Sequence, residues 1–195
     1  MFFAEKITDF FIKNNIVAAD DRPIYKYGTE ITLSTILGFF IVLTIGALSN
    51  NIINSVIFLF CFASIRIYSG GYHANTYLKC NVIYTSLFII ILILANTVFM
   101  NIDIYFNIIL LITSVVFISI FSPIENKNKP LTAAEKTKNK KKSIFVSLIW
   151  AILSLILYVF HFKIYSIIVI TMFVITILMI IEKTNQKINL KGDFQ

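Results

Sequence analysis

The sequence predicts an all-α polytopic membrane protein, a helix bundle of about six transmembrane or membrane-embedded helices, and three observations support this fold class. Hydrophobic residues make up 58% of the 195 positions and charged residues 14%, where a soluble domain carries roughly 25% charged residues. The apolar residues form six runs, and the positive charges gather in alternate connections between them. Because water would leave so much apolar surface unburied, we expect the bilayer to act as the solvent of a single domain, residues 1–195.

Residues 1–30 are expected to lie at the cytoplasmic face as an amphipathic N-terminus. Acids and bases interleave here without a long apolar core, unlike a cleavable signal peptide. Phe3, Ile7, Phe10 and Phe11 recur at helical spacing. The pattern predicts an interfacial helix before Asp20, with its aromatic face buried among the headgroups. A frayed cytosolic tail is the alternative.

Each of the six apolar runs is about long enough to cross a bilayer, which takes roughly 17–25 residues. The runs cover residues 31–49, 52–68, 82–100, 104–121, 144–162 and 164–181. They predict a first hairpin (31–68), a connection (69–81), a second hairpin (82–121), a basic loop (122–143), a third hairpin (144–181) and a tail (182–195). Run 52–68 is the weakest, because Arg66 is near its end, and its re-entry without crossing would leave four full spans.

The positive charges predict the orientation of the six spans. Every Lys and Arg except Lys163 falls on one side of this arrangement. The positive-inside rule therefore places both termini, the 69–81 connection and the 122–143 loop in the cytoplasm of a bacterial cell. The excess of 17 basic over 10 acidic residues then needs no nucleic acid as a partner.

The basic cluster that ends the 122–143 loop has two interpretations. Such clusters most simply hold a loop near anionic lipid, and binding of an acidic peptide is the alternative. The candidate binding residues are Lys136, Lys138, Lys140, Lys141 and Lys142.

The 69–81 connection holds one of the two histidines, His73, and one of the two cysteines, Cys80. A free thiol is only a few per cent thiolate at neutral pH, so a cysteine nucleophile needs a base, which His73 would supply. The start of the third span would favour the thiolate through the helix dipole. In one straight helix the two residues would stand about 10 Å apart along the axis. The chain must then bend, or the substrate or a second protomer must bring them together.

Other polar residues near this connection have weaker assignments. Gly70 and Gly71 can turn the chain back after the second span, or leave N–H groups open for an oxyanion hole. Asn75 is the nearest polar candidate for orienting the histidine. Cys61, among apolar neighbours in mid-span, is expected to be structural. His161 is expected to be interfacial. The chain offers too few clustered ligands for a metal site, and no cofactor is expected.

The motif in this connection resembles the signature of the accessory gene regulator B (AgrB) family of bacterial quorum-sensing endopeptidases. The residues that carry the resemblance are, in order, Arg66, Gly70, Gly71, Tyr72, His73, Ala74 and Cys80. Chain length, amphipathic start, hydrophobic profile and the lysine-rich loop extend the similarity to nearly the whole chain.

This resemblance implies a thiol protease that acts on an AgrD-like propeptide, with Cys80 as nucleophile and His73 as general base and acid. Cys80 would remove the acidic C-terminal tail and hold the signal segment as a thioester, which an internal thiol or hydroxyl would capture as a thiolactone or lactone ring. Arg66, Gly70 and Gly71 would support the motif. The resemblance also implies a homodimer in the cytoplasmic membrane.

A non-enzymatic membrane protein, such as the substrate-binding subunit of a transporter, is the competing interpretation. Six spans in a chain of this length fit it. Such a protein should place polar ligand contacts toward the outer side, where the connections here are minimal. It would also have no use for a cytoplasmic His/Cys pair.

Overall fold

The computed structural model describes residues 2–72, 76–98, 103–125 and 131–192. Within these ranges the chain forms seven α-helices and one short 3-10 turn, Ala19–Asp21. The helices are α1 (Phe2–Lys13), α2 (Arg22–Leu48), α3 (Ile52–Ser69), α4 (Tyr77–Thr97), α5 (Ile104–Phe121), α6 (Ala133–Val159) and α7 (Tyr165–Gly192). Six of the described helices, α2 to α7, are long and apolar enough to cross a membrane. The predicted all-α polytopic bundle is confirmed.

Four helices extend beyond the apolar runs that predicted them. One of them, α4, begins at Tyr77 rather than near residue 82, so Cys80 lies in its first turn and not in the connection before it. Helix α2 begins at Arg22 rather than near residue 31, with a proline in its first turn, where the missing N–H costs nothing. Helix α6 begins at Ala133 inside the predicted 122–143 loop, and α7 continues through the predicted tail to Gly192. Hydropathy marks only the part of a helix that lipid can surround, so these polar helical turns were not predicted.

Helix α7 lies at the centre of the bundle and contacts α3, α4, α5 and α6. Its Ile167, Ile168, Met172 and Ile175 are completely buried. The surrounding helices each leave a broad apolar face exposed, as expected of helices that lipid would cover. A helix that is apolar all round is most stable when other helices enclose it, which explains the central position of α7.

Contacts between distant segments show which helix ends lie together. At one end, Gly70 pairs with Ile124 in an isolated bridge, and the Gln186 side chain donates to the Glu125 carbonyl over 2.8 Å. At the other end, the Asn96 side chain donates to Asn51 Oδ1 over 3.2 Å. The ends of α3, α5 and α7 therefore meet the starts of α4 and α6 at one end of the bundle, which we call the basic end.

Helix α1 packs on α2 at the basic end. Ala4 and Thr8 are completely buried, whereas Phe3 and Phe10 are exposed. Two ion pairs join the helices: Arg22 to Asp9 at 2.9 Å and Lys26 to Glu5 at 2.5 Å. The predicted amphipathic helix is present, and two of its four phenylalanines, Phe3 and Phe10, have exposed side chains.

Candidate functional site at the basic end

The glycine pair ends α3 and allows another segment to cross its end. Gly70 and Gly71 have φ angles of 69° and 126°, in the region that favours glycine. The Ile124 N–H donates to the Ser69 carbonyl over 2.8 Å, and a Cβ on Gly70 would overlap the Ile124 carbonyl oxygen. Glycine at position 70 therefore lets residues 122–125, which we call the strap, lie directly against the end of α3.

Arg66 closes the turn that follows α3. Its Nη1 donates to the Gly70 carbonyl over 3.0 Å, and its Nη2 donates to the Tyr72 carbonyl over 2.5 Å. Its guanidinium also stands 5.7 Å from the centre of the Phe62 ring. A Cβ on Gly71 would overlap this guanidinium. Because the last carbonyls of a helix lack partners within the helix, Arg66 and Gly71 together fix the path of the chain as far as Tyr72.

Cys80 is in the first turn of α4. The Thr76 hydroxyl caps this helix by accepting from the Lys79 N–H over 3.3 Å, and the Cys80 N–H donates to the Thr76 carbonyl over 3.0 Å. The Cys80 side chain is exposed, whereas Cys61 is completely buried. Of the two cysteines, Cys80 alone has the accessibility that a nucleophile needs.

His73 and Asn75 lie outside the described residues, so the pairing of His73 with Cys80 stays a prediction. The described neighbours on either side are Tyr72, which Arg66 holds, and Thr76, which caps α4. The segment that carries His73 therefore has both of its ends fixed close to Cys80.

A cavity of about 590 Å³ lies between α2, α3 and α4, and the strap lies along its edge. Arg66, Gly70, Tyr72 and Cys80 all line it. Arg66 is near enough to Cys80 to interact with it electrostatically, and Glu182 of α7 acts on Arg66 in the same way. The structure thus brings three of the predicted site residues, Arg66, Gly70 and Cys80, to one cavity, with Gly71 directly behind the guanidinium.

The predicted lysine cluster is on the first turns of α6, beside this cavity. Lys136 Nζ lies 2.6 Å from Glu125 Oε1 of the strap, and the Lys142 ammonium stands 5.0 Å from the centre of the Tyr68 ring. All five lysines are exposed; the other three are Lys138, Lys140 and Lys141. Asn139, on the same helix, lines the cavity. Their binding of an acidic peptide stays a prediction.

Several cavity residues were not predicted from the sequence. The Asn81 side chain donates to Ser34 Oγ over 3.1 Å, joining α4 to α2. Glu125 of the strap also lines the cavity. Asn81 stands next to Cys80 in the predicted 69–81 connection, which is the signal that the sequence offers for it. Nothing in the sequence pairs it with Ser34.

Comparison with known proteins gives the family of the chain. The profile of accessory gene regulator B matches residues 4–185. An AgrB-like protein of Clostridium perfringens strain SM101 is 32% identical over 146 residues, which cover 70% of this chain and 68% of that protein. A second AgrB-like protein, from strain 13, is 29% identical over 164 residues, covering 80% and 75%. No solved structure gives a significant match. The chain therefore belongs to the accessory gene regulator B (AgrB) family of membrane proteins, and this membership supports a role in processing the agr quorum-sensing peptide.

Proposed function

We propose that the protein is a membrane cysteine endopeptidase in which Cys80 cleaves the C-terminal tail from an AgrD-like propeptide. The observation that carries the proposal is the position of Cys80, exposed at the start of α4 and in the wall of a cavity that it shares with Arg66. Family membership supplies the class of substrate.

The proposed reaction has two acyl transfers. The Cys80 thiolate attacks the carbonyl that joins signal segment to tail, and the carbon–nitrogen bond breaks as His73 donates a proton to the departing amine. The signal segment stays on Cys80 as a thioester. A thiol or hydroxyl within the peptide then gives its proton to His73 and attacks the thioester carbonyl. The ring closes as a thiolactone or lactone, and Cys80 leaves as the thiolate.

Arg66 has two roles in this proposal. Its hydrogen bonds to the Gly70 and Tyr72 carbonyls anchor the segment that carries His73. Its positive charge near Cys80 favours the oxyanion that forms when the carbonyl is attacked. The low-water setting of a cavity within the bundle disfavours hydrolysis of the thioester, which preserves the acyl group for ring closure.

The proposal includes the cytoplasmic orientation of the basic end and a homodimer. The distribution of Lys and Arg supports the orientation, since every described lysine and arginine except Lys163 is on α1, α2 or the basic end of another helix. The homodimer rests on the family resemblance, and chemical cross-linking in native membranes would measure it.

Mass spectrometry on cells that co-express an AgrD-like propeptide tests the nucleophile. We expect Cys80→Ala and His73→Ala to abolish release of the acidic tail at equal abundance in the membrane, and Cys61→Ala to retain it. Continued tail release by Cys80→Ala would remove the nucleophile from this mechanism and favour a non-enzymatic transport subunit.

A further inference from the structure

The cavity continues well below Cys80 into the bundle. Leu87, on the same helix, lines it about 10 Å deeper than Cys80, at 1.5 Å of rise per residue. Phe39 of α2, Phe62 and Ala63 of α3 complete this lower wall. A volume of about 590 Å³ is within the range of pockets that enclose small ligands, roughly 300–1,000 Å³. The lower cavity therefore offers an apolar chamber that opens beside the nucleophile.

One polar atom in the chamber wall lacks a partner. The Tyr84 hydroxyl is buried without a hydrogen-bond partner among the described residues, and Tyr84 lines the cavity one turn below Cys80. Its ring is held between Phe58 and Phe62, with ring centres 5.4 and 5.1 Å away. Because a buried hydroxyl without a partner is costly, the carbonyl of a bound peptide would be a favourable acceptor here.

The rim of the cavity is polar and charged, unlike the apolar chamber. Glu125, Lys136 and Asn139 are at the rim, and the exposed lysines of α6 continue from it. A peptide that crosses Cys80 must place one side of its scissile bond in the chamber and the other over this rim. Burying the carboxylates of an acidic tail in an apolar chamber would cost much desolvation energy. The tail therefore belongs at the rim and the signal segment in the chamber.

We propose that the chamber is a specificity pocket for a bulky apolar side chain on the residue whose carbonyl Cys80 attacks. Ala63 and Leu87 limit the size of this side chain, and Tyr84 donates a hydrogen bond to the peptide backbone. This inference rests on the proposed function, and it adds the chemical class of the residue at the cleavage position and the residues that select it.

Changing the size of the pocket and the size of the substrate side chain together tests the proposal. The probes are AgrD-like propeptides with Ala, Leu, Phe or Trp at the residue before the scissile bond, each co-expressed with the full-length protein. Wild type should process the Leu and Phe peptides at least tenfold more efficiently than the Ala peptide. Ala63→Leu should reverse this preference by filling the chamber, while Ala47→Leu, at an exposed position of α2, should leave it unchanged.

A second variant enlarges the chamber and decides the question if Ala63→Leu does not accumulate in the membrane. Leu87→Ala should raise processing of the Trp peptide relative to the Leu peptide at least fivefold. Its matched control is Ile93→Ala, on the exposed face of α4. Tyr84→Phe keeps the ring and removes the hydroxyl, so it should lower kcat/KM several-fold for all four peptides without changing their order.

Two outcomes separate this inference from the proposed function. If Leu87→Ala and Ala63→Leu keep the wild-type order of peptides while Cys80→Ala is inactive, the specificity pocket is overturned and the endopeptidase stands. If Cys80→Ala still releases the tail, the endopeptidase proposal fails, and the pocket fails with it.

Discussion

Arg66 and Gly71 form one structural unit although five positions separate them in the sequence. The guanidinium occupies the space that a side chain at position 71 would need, and it holds the carbonyls on both sides of that residue. The Arg66 guanidinium fits because position 71 is a glycine, and it fills the space that this glycine leaves. The unit connects α3 to the segment that leads to Cys80, so a local change here is expected to reach the candidate nucleophile.

Gly71→Ala should therefore impair processing more than the addition of a single methyl group suggests. The added methyl group overlaps the guanidinium, and φ near 126° is strained for alanine, at a cost of roughly 1–3 kcal/mol. We expect a lower Tm in detergent and at least tenfold slower tail release. Gly28→Ala is the matched control, because a Cβ there meets nothing within 4 Å; a similar loss in that variant would contradict the explanation.

Arg66→Lys tests whether charge alone is enough. A lysine keeps the positive charge but lacks the planar fork that reaches two carbonyls at once. Losing one charged hydrogen bond should cost roughly 1.5–3 kcal/mol of folding free energy, measured as a lower Tm with a matching loss of tail release. Full activity in Arg66→Lys would mean that only the charge matters.

At the scale of elements, hydropathy predicted the ends of a span correctly where polar residues follow the apolar run abruptly. The bounds of α5 agree with run 104–121, because Asp103 and the Ser122-Pro123 pair limit it. The start of α6 was not predicted, although Thr132 and Glu135 form a capping box that a sequence can show. The contacts of the strap with Gly70 and Lys136 depend on packing between distant segments, so no local pattern could predict them.

The basic turns of α6 give a prediction for this element. Replacing all five lysines from Lys136 to Lys142 with glutamine should slow release of an acidic tail several-fold and weaken its dependence on salt, since exposed charges are screened. The capping box is untouched, so α6 should still begin at Ala133. Lys187→Gln on α7 serves as the control. Unchanged cleavage would show that these lysines do not hold the tail.

Docking of α1 on α2 should depend on pH. The Lys26 side chain, hydrogen-bonded to Glu5, holds the pKa of this carboxyl below its ordinary value of 4.5. A lowered pKa in the docked state means that the pair stabilises docking above the ordinary value, and that this contribution is lost as the pH falls through the lowered value. Spin labels at positions 3 and 28, which the antiparallel ion pairs bring near each other, should separate in acid. Glu5→Gln should have a smaller pH response, and an identical response would refute this role.

At the scale of the whole molecule, the central position of α7 explains how a short chain builds a cavity at one end. The helix α7 fills the middle of the bundle, so α2, α3 and α4 can splay apart at the basic end without opening the core. Small side chains on α6, including Ser147 and Ala151, are buried, and small residues let membrane helices pack closely. Close packing is thus concentrated around α7, and the cavity lies beside Cys80.

The two ends of this bundle should face opposite sides of the membrane, with Cys80 toward the cytoplasm. Ser49 follows α2 and Lys163 precedes α7, both at the end of the bundle opposite Cys80. Both residues are exposed. In a Cys61→Ala background, a membrane-impermeant maleimide should label Ser49→Cys and Lys163→Cys in intact cells, each tested with Cys80→Ala. Native Cys80 should react only after permeabilisation. Labelling of Cys80 in intact cells would show the opposite orientation. A propeptide made in the cytoplasm could then not reach the cavity from the side on which it is synthesised.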